Sequence, residues 1–366
     1  MEEDGRKTTI SVSYNKKNVS RSLKSYIESL EYTDVATGGS DQLTLNLDNQ
    51  DMRFLRKWKP LKGAKISSTI TINNWDKQGI SKSFKTGAMV VDDLTASGPA
   101  NTFQINAVSS PVKGSFKDTN RKKTYKNATI ETIASKIAKR AGVKLHYEAG
   151  KIKIKEIEQS DQPDSTFLKN LCEDYGLGIK IYNDKIVIYD EVKYEKKSPL
   201  VTIYRSEKSK EVGKDSKHIG GVIDWNWNTT MQRTYTGVTV TYTDSKNNKK
   251  HKAKVGKDGR RLKLNVSAFN KNDAKLKADA ALRAENKKRT TMALTIEPDP
   301  RLIATGTIAL MGFGKGSGKY FIDEAVHSID EDGYVLKLTL HKVLEKKKPQ
   351  AGGGIEDTDP TGGGGA

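Results

Sequence analysis

Alternation of apolar and polar residues dominates both ends of this 366-residue chain, and a segment of different period lies between them. Ile10, Val12 and Tyr14 alternate with polar neighbours, as do Leu43, Leu45 and Leu47, then Ile70 and Ile72, then Phe103 and Ile105. A strand turns successive side chains to opposite faces, so this period predicts half-buried β-strands. Gly38-Gly39, Pro60 to Gly63 and Ser97-Gly98-Pro99 supply turn chemistry between them. Several strands at this spacing predict a small barrel or sandwich. The last third returns to the same pattern at Val222 to Trp227, Tyr235 to Thr243 and Lys249 to Val255, the latter two forming a hairpin through 244–248. After an alanine-rich helix from about Asn272 to Lys288, strands follow at Met292 to Ile296, Gly306 to Met311, Tyr320 to Val326 and Tyr334 to Val343.

In the middle, Ile130, Ile133, Ala134, Ile137, Ala138 and Ala141 recur at three- and four-residue intervals. That spacing predicts an amphipathic helix over Asn127 to Ala141, with Gly142 at its C-cap. A shorter helix is expected from about Ser165 to Tyr175, capped by Asp164 or Ser165 and followed by Gly176. Strands at Gly178 to Tyr182 and Lys185 to Tyr189 turn through Asn183-Asp184. This is an α+β insert between two β regions of similar size, an arrangement that suggests an old duplication, although no clean repeat accompanies it.

The chain is charged (30%) and basic (+19), and it contains no apolar run of membrane-spanning length. Its first residues, Met1-Glu2-Glu3-Asp4-Gly5, lack a signal-peptide pattern, so synthesis and assembly in the cytoplasm are expected. Lysines are scattered, often at alternate strand positions as in Lys151-Ile152-Lys153-Ile154-Lys155, which describes a solvated sheet face as readily as a binding stripe. The lone cysteine, Cys172, lies on the apolar side of the second helix with Leu168 and Leu171 and reads as a core residue. Residues 346–366, with Gly352 to Gly354 and Gly362 to Gly365, predict a flexible tail.

Apparent chemical motifs fail on inspection. Gly312 to Lys319 is glycine-rich, but Phe313 and Tyr320 stand where a Walker A loop needs glycine and a hydroxyl residue. Asp330-Glu331-Asp332-Gly333 suggests a calcium loop, yet Ser328 and Thr339 occupy the first and last ligand positions, so a tight turn is expected. His146, His218, His251, His327 and His341 show no metal-ligand spacing. Asn127 to Val143 is similar to a peptidoglycan-binding LysM helix only in being amphipathic and capped, and reads as a core helix. No catalytic, cofactor-binding or metal residue is assigned.

Three segments in fixed order carry a resemblance. The first runs from Lys122 to Tyr147 and holds Tyr125, the Thr129 to Arg140 helix and Gly142-Val143. The second is Gln159 to Leu171, with Asp161, Ser165, Phe167-Leu168 and Leu171, continuing to Tyr175-Gly176-Leu177. The third holds Thr290, Leu294, Ile296, Asp299-Pro300-Arg301-Leu302, Gly306, Gly318-Lys319-Tyr320, His327 and Gly333-Tyr334. In this order they resemble the late-control-D family of contractile-tail baseplate hubs, and the hub half of type VI secretion spike proteins. The resemblance covers about residues 7–345.

The resemblance implies an α+β, mainly β chain. Tube-like β-barrel domains at 1–115 and 200–345 bracket an α+β insert at 116–199, and a tail follows from 346. It implies a non-catalytic structural hub without cofactors. Three copies would present six tube-like domains, joining a hexameric tail tube to a trimeric spike. The implied partners are two further copies, the tube protein, a separate spike protein, other baseplate proteins and a tape measure protein, and the implied location is the baseplate of a virion, tailocin or related particle. No spike-like needle follows Lys346, which is why the spike must be separate. In this frame Gln159, Tyr320 and His327 are packing or hydrogen-bonding residues. Two other classes stay open: a nucleic-acid-binding protein, motivated by the charge, and a cell-wall-binding or hydrolysing tail protein, which needs a carboxylate pair that nothing marks out.

Overall fold

The computed structural model describes residues 5–75, 78–109, 114–205, 221–232, 234–243 and 249–344. The expected turn at 244–248 and the tail at 346–366 lie outside them. The first region holds β1 (Lys7–Tyr14), β2 (Lys17–Asn18), the short α1 (Ser20–Leu23), β3 (Ile27–Val35), β4 (Gln42–Asp48), β5 (Lys65–Asn73), β6 (Ser81–Lys85), β7 (Met89–Ser97) and β8 (Thr102–Val108). The alternation predicts its core: Leu43, Leu45, Leu47, Ile70, Ile72, Phe103 and Ile105 pack together with Leu30, Tyr32, Phe54 and Met89. Each such buried side chain contributes roughly 1.5–3 kcal/mol of hydrophobic stabilisation.

The insert holds β9 (Asn120–Thr129), α2 (Ile130–Ala141), β10 (Lys144–Glu148), β11 (Lys153–Pro163), α3 (Asp164–Asp174), β12 (Leu177–Tyr182), β13 (Lys185–Asp190) and α4 (Glu191–Glu195). All six periodic residues of α2 are buried, and Gly142 ends the helix in the left-handed conformation. The helix begins later than its pattern predicts. Asn127 to Thr129 belong to β9, where Ala128 and Thr129 pair with Ile154 and Lys153, and the Thr129 hydroxyl accepts from the Thr132 N–H at 3.1 Å. The capping expected of Asp164 or Ser165 is also not found. Pro163 occupies the N-cap with no side-chain cap, and the Asp164 carboxylate is drawn away to arginines. β12 and β13 form the expected hairpin, with Asn183 and Asp184 both at positive φ as a type I′ turn requires.

The last region holds β14 (Thr202–Tyr204), β15 (Val222–Thr229), β16 (Gly237–Thr243), β17 (Lys250–Gly256), β18 (Arg261–Ser267), α5 (Lys271–Lys287), β19 (Thr290–Ile296), β20 (Thr307–Met311), β21 (Gly318–Asp330) and β22 (Gly333–Lys342). β18 falls outside the predicted elements because its partner, β16, is parallel and no local turn announces the pairing.

Among the described residues no closed barrel is seen. The strands of the first region and β14, β15, β19, β20, β21 and β22 of the last form one 14-stranded sheet in the order β15-β19-β22-β21-β3-β4-β8-β7-β5-β1-β2, with β14, β20 and β6 attached beside it. The seam is β3 against β21, antiparallel from Leu30–Ile329 to Val35–Glu324. β16, β17, β18 and α5 stand apart as a small unit with its own core. Among the described residues no helix is long and apolar enough to cross a membrane.

Candidate functional site

The chain's buried polar chemistry lies where its regions meet. β3 turns Leu30, Tyr32 and Asp34 inward, and Ala36 just beyond it is buried too, so an acidic residue occupies an apolar register. Lys180 interrupts the buried strand β12 in the same way. The Lys180 ammonium donates to Asp34 and lies 3.3 Å from Asp41, with all three side chains at most 10% exposed. The remaining carboxylate capacity is used: Ala304 N–H donates to Asp34 at 2.9 Å, while Val35 N–H and the Tyr32 hydroxyl donate to Asp41 at 3.1 and 3.3 Å. Burial, reinforced by the Asp34 charge and opposed by Lys180, pushes the Asp41 carboxyl up to about 7. Burial opposes the Lys180 charge, but its two carboxylate neighbours hold it above the usual lysine range.

This triad ties together three stretches remote in sequence: the first region, the insert and the loop before β20. Backbone contacts reinforce it. Gly38 N–H donates to Ile179 O at 3.1 Å, Ile179 N–H to the Thr37 hydroxyl at 2.9 Å, and the Tyr189 hydroxyl to Ala36 O at 2.9 Å. Tyr189 reaches that carbonyl because its cross-strand neighbour is Gly178, where an added Cβ would lie 2.2 Å from the ring.

A second joint ties the insert to the last region. His341 donates from Nδ1 to Asp323 at 2.8 Å, and its Nε2 lies 3.1 Å from Glu195, which also pairs with Arg283. Burial disfavours the His341 charge, but the Asp323 and Glu195 carboxylates hold its pKa above the usual imidazole range. Lys287 pairs with Glu191 at 2.6 Å and the Tyr175 hydroxyl donates to Asp273 at 2.6 Å. A cleft of about 510 Å³ opens beside these groups, lined by Arg283, Lys287, Asp323 and His341. The third joint is internal to the insert: Asp164 takes Arg140 at 2.7 Å and Arg121 at 3.4 Å, and accepts from Gln159 at 3.1 Å.

The residues singled out in the sequence are not brought together. Gln159 serves the Asp164 joint. Tyr320 donates to Gly316 O at 2.8 Å within the loop that imitates a phosphate cradle, and that loop joins β20 to β21 with no helix of phosphate-binding length. His327 is fully buried, pairs with the Tyr334 hydroxyl at 2.6 Å and stacks on Phe84 at 5.0 Å; burial lowers its pKa to about 4. Cys172 is buried and its thiol is pushed up to about 12. Asp330 to Gly333 form the tight turn between β21 and β22. Among the described residues no three His, Cys, Asp or Glu side chains gather as metal ligands. The joint residues Asp34, Asp41, Lys180, Glu195 and Arg283 escape motif reading. The available signal was a charge in a buried register, as at Asp34 and Lys180.

Exposed apolar features among the described residues include an edge strand and a cleft. β15 ends the large sheet and exposes Ile223 (59%) and Trp225 (43%). Within the first region, Tyr14, Val19, Leu23, Phe54 and Trp58 line a cleft of about 440 Å³.

No protein-family model matches the chain. Over 247 residues it is 25% identical to the probable baseplate hub protein of Escherichia phage 186, covering 66% of this chain and 57% of that protein. It therefore spans less than two-thirds of that relative's length. Among solved structures it is similar to a tail protein from Neisseria meningitidis MC58 (TM-score 0.67, 13% identity, 92% of this chain and 96% of that one). It is also similar to the 43 kDa tail protein of prophage MuSo2 from Shewanella oneidensis (0.64, 15%, 91% and 98%). A third likeness is to an E. coli type VI secretion component described as structurally similar to T4 tail proteins (0.51, 9%, 93% and 77%). The class defined by these likenesses is a tail-protein fold shared with a type VI secretion component. The resemblance to the baseplate hub family carried by the three ordered segments is borne out by the phage 186 relative.

Proposed function

We propose that this chain is a non-catalytic baseplate hub of a contractile tail or tail-like particle. Three copies would form a pseudo-six-fold adaptor between a hexameric tail tube and a trimeric spike. The observation that carries this reading is the seam of β3 against β21, which holds two β regions side by side in one chain. The buried Asp34–Lys180–Asp41 triad clamps the insert across that seam. A three-copy ring with six similar units needs such a rigid pair, because a loose one would not keep register with a hexamer.

In this reading residues 1–115 and 200–345 are the tube-like units, completed as a ring only between copies. Residues 116–199 are the brace and 346–366 a tail. The exposed Ile223 and Trp225 on the edge strand suit burial between copies. The partners are the tube protein, a separate spike protein, neighbouring baseplate proteins and a tape measure protein. Assembly takes place in the cytoplasm, before the particle is complete. Sedimentation across a concentration series, with particle imaging, tests the reading. A concentration-dependent trimer with pseudo-six-fold projections is expected; a strict monomer at all concentrations, together with tails that assemble fully without the chain, would refute it.

A further inference from the structure

The +19 charge is less evenly spread than the scattered lysines suggest. Residues 249–289 alone carry fifteen lysines and arginines against four carboxylates, a surplus of eleven. These residues form most of the small unit in which β17, β16 and β18 pack against α5.

The inner face of this sheet is its core: Val238, Val240, Tyr242, Ala253, Leu264 and Val266 meet Ala274 and Ala278 of α5. Register then fixes the outer face. Lys254, Thr239 and Lys263 form one row across the three strands, Lys252, Thr241 and Asn265 the next, and Lys250, Thr243 and Ser267 the last. Lys250, Lys252, Lys254 and Lys263 are exposed. The three strands contain no carboxylate. Asp258, in the following loop, lies 4.0 Å from Lys254. Among the described residues no ion pair engages Lys250, Lys252 or Lys263. Arg261 is not part of the free set, since its guanidinium lies over Gly237 and donates to Lys257 O at 2.7 Å and Val255 O at 2.9 Å.

We infer that this face binds the phosphate backbone of duplex nucleic acid without reading sequence. Lysine ammoniums flanking a stripe of hydroxyl and amide side chains are the groups that contact phosphate and sugar. Alternate residues of a strand recur about every 6.6–6.8 Å, close to twice the roughly 3.4 Å axial rise per phosphate along one DNA strand. An acidic protein fits less well: protein interfaces are anchored by buried aromatic and aliphatic side chains, and the outer rows have none. A single strand is disfavoured for a related reason, because its bases need aromatic platforms. The inference stands on this unit's own charge and register and does not depend on the hub reading.

Fluorescence anisotropy of a labelled random-sequence duplex, titrated with the full chain from about 50 to 200 mM salt, tests it. Dissociation constants of about 1–100 µM at physiological salt are expected, with log affinity falling by about 0.9 per log unit of salt for each phosphate contacted. The variant Lys250→Gln, Lys252→Gln, Lys254→Gln, Lys263→Gln should bind at least about tenfold more weakly and lose about 3.6 units of that slope. A control variant, Lys17→Gln, Lys24→Gln, Lys136→Gln, Lys144→Gln, removes the same charge from other exposed positions and should stay within about twofold. Should the fourfold variant fail to melt cooperatively, Lys252→Gln with Lys263→Gln should remove about half the slope. Three outcomes overturn the inference: no salt-dependent binding by the native chain, equal losses in the two fourfold variants, or displacement of the duplex by polyglutamate at equal charge, which would assign the face to an acidic protein.

Discussion

Replacing Lys180 with methionine keeps the volume of the side chain but leaves Asp34 and Asp41 buried with no cation. Removing one partner of a buried ion pair costs about 3–5 kcal/mol, because the remaining charge is uncompensated. Here the carboxylates keep Ala304 N–H, Val35 N–H and the Tyr32 hydroxyl as donors, so the lower end, about 3 kcal/mol, is expected. For a fold stabilised by about 5–15 kcal/mol that is a large fraction. The pH dependence carries the sharper test. In the native chain Asp41 titrates at about 7, above its unfolded value of about 3.9, so between those values the folded state holds the extra proton and its contribution falls as pH rises. Without Lys180, which opposes the rise, the Asp41 carboxyl is pushed higher still and the variant's folded state binds more protons. The gap between Lys180→Met and native protein should therefore be widest near pH 8 and shrink toward about pH 5. Urea denaturation at both pH values measures it. A gap below about 1 kcal/mol at each pH, or one that widens on acidification, would refute the account of the triad.

Gly178→Ala places a Cβ 2.2 Å from the Tyr189 ring, so a loss of about 1–3 kcal/mol and a lower Tm are expected; an unchanged Tm would mean that the ring yields freely. The two buried histidines should act on opposite limbs of the stability–pH profile. His327, lowered to about 4, contributes stability that is complete above its unfolded value of about 6.5 and lost as pH falls through about 4, while His341, held above its usual range, contributes stability that is complete below about 6.5 and lost as pH rises through its folded pKa. Denaturation profiles of His327→Gln and His341→Gln should each flatten only its own limb. Arg140→Ala leaves Asp164 with Arg121 at 3.4 Å, and hydrogen exchange should quicken in α2 and α3 before it does in the large sheet; uniform exchange would contradict a joint internal to the insert.

Much of the architecture was legible because its signals are local. The alternation at Leu43, Leu45 and Leu47, the spacing of Ile130 to Ala141 with Gly142, and the Asn183-Asp184 turn each encode an element within a dozen residues. Where reading failed, distant partners were responsible. Asn127 to Thr129 continue a strand because β11 pairs with them, and Asp164 abandons its helix end because Arg140 and Arg121 lie within reach. The joints were least legible of all: Asp34, Lys180, Glu195 and His341 are ordinary residues until folding places them together.

Sequence alone therefore determined the β regions, the α+β insert between them and the three ordered segments that resemble baseplate hubs. Only tertiary structure decided that the β regions join at β3 and β21 into one sheet, and that buried charges clamp the insert across the seam. It also gathered four lysines onto one outer sheet face. The physical reason is range. Periodicity records which side of an element is buried, whereas strand pairing and ion pairing depend on which remote element supplies the other half.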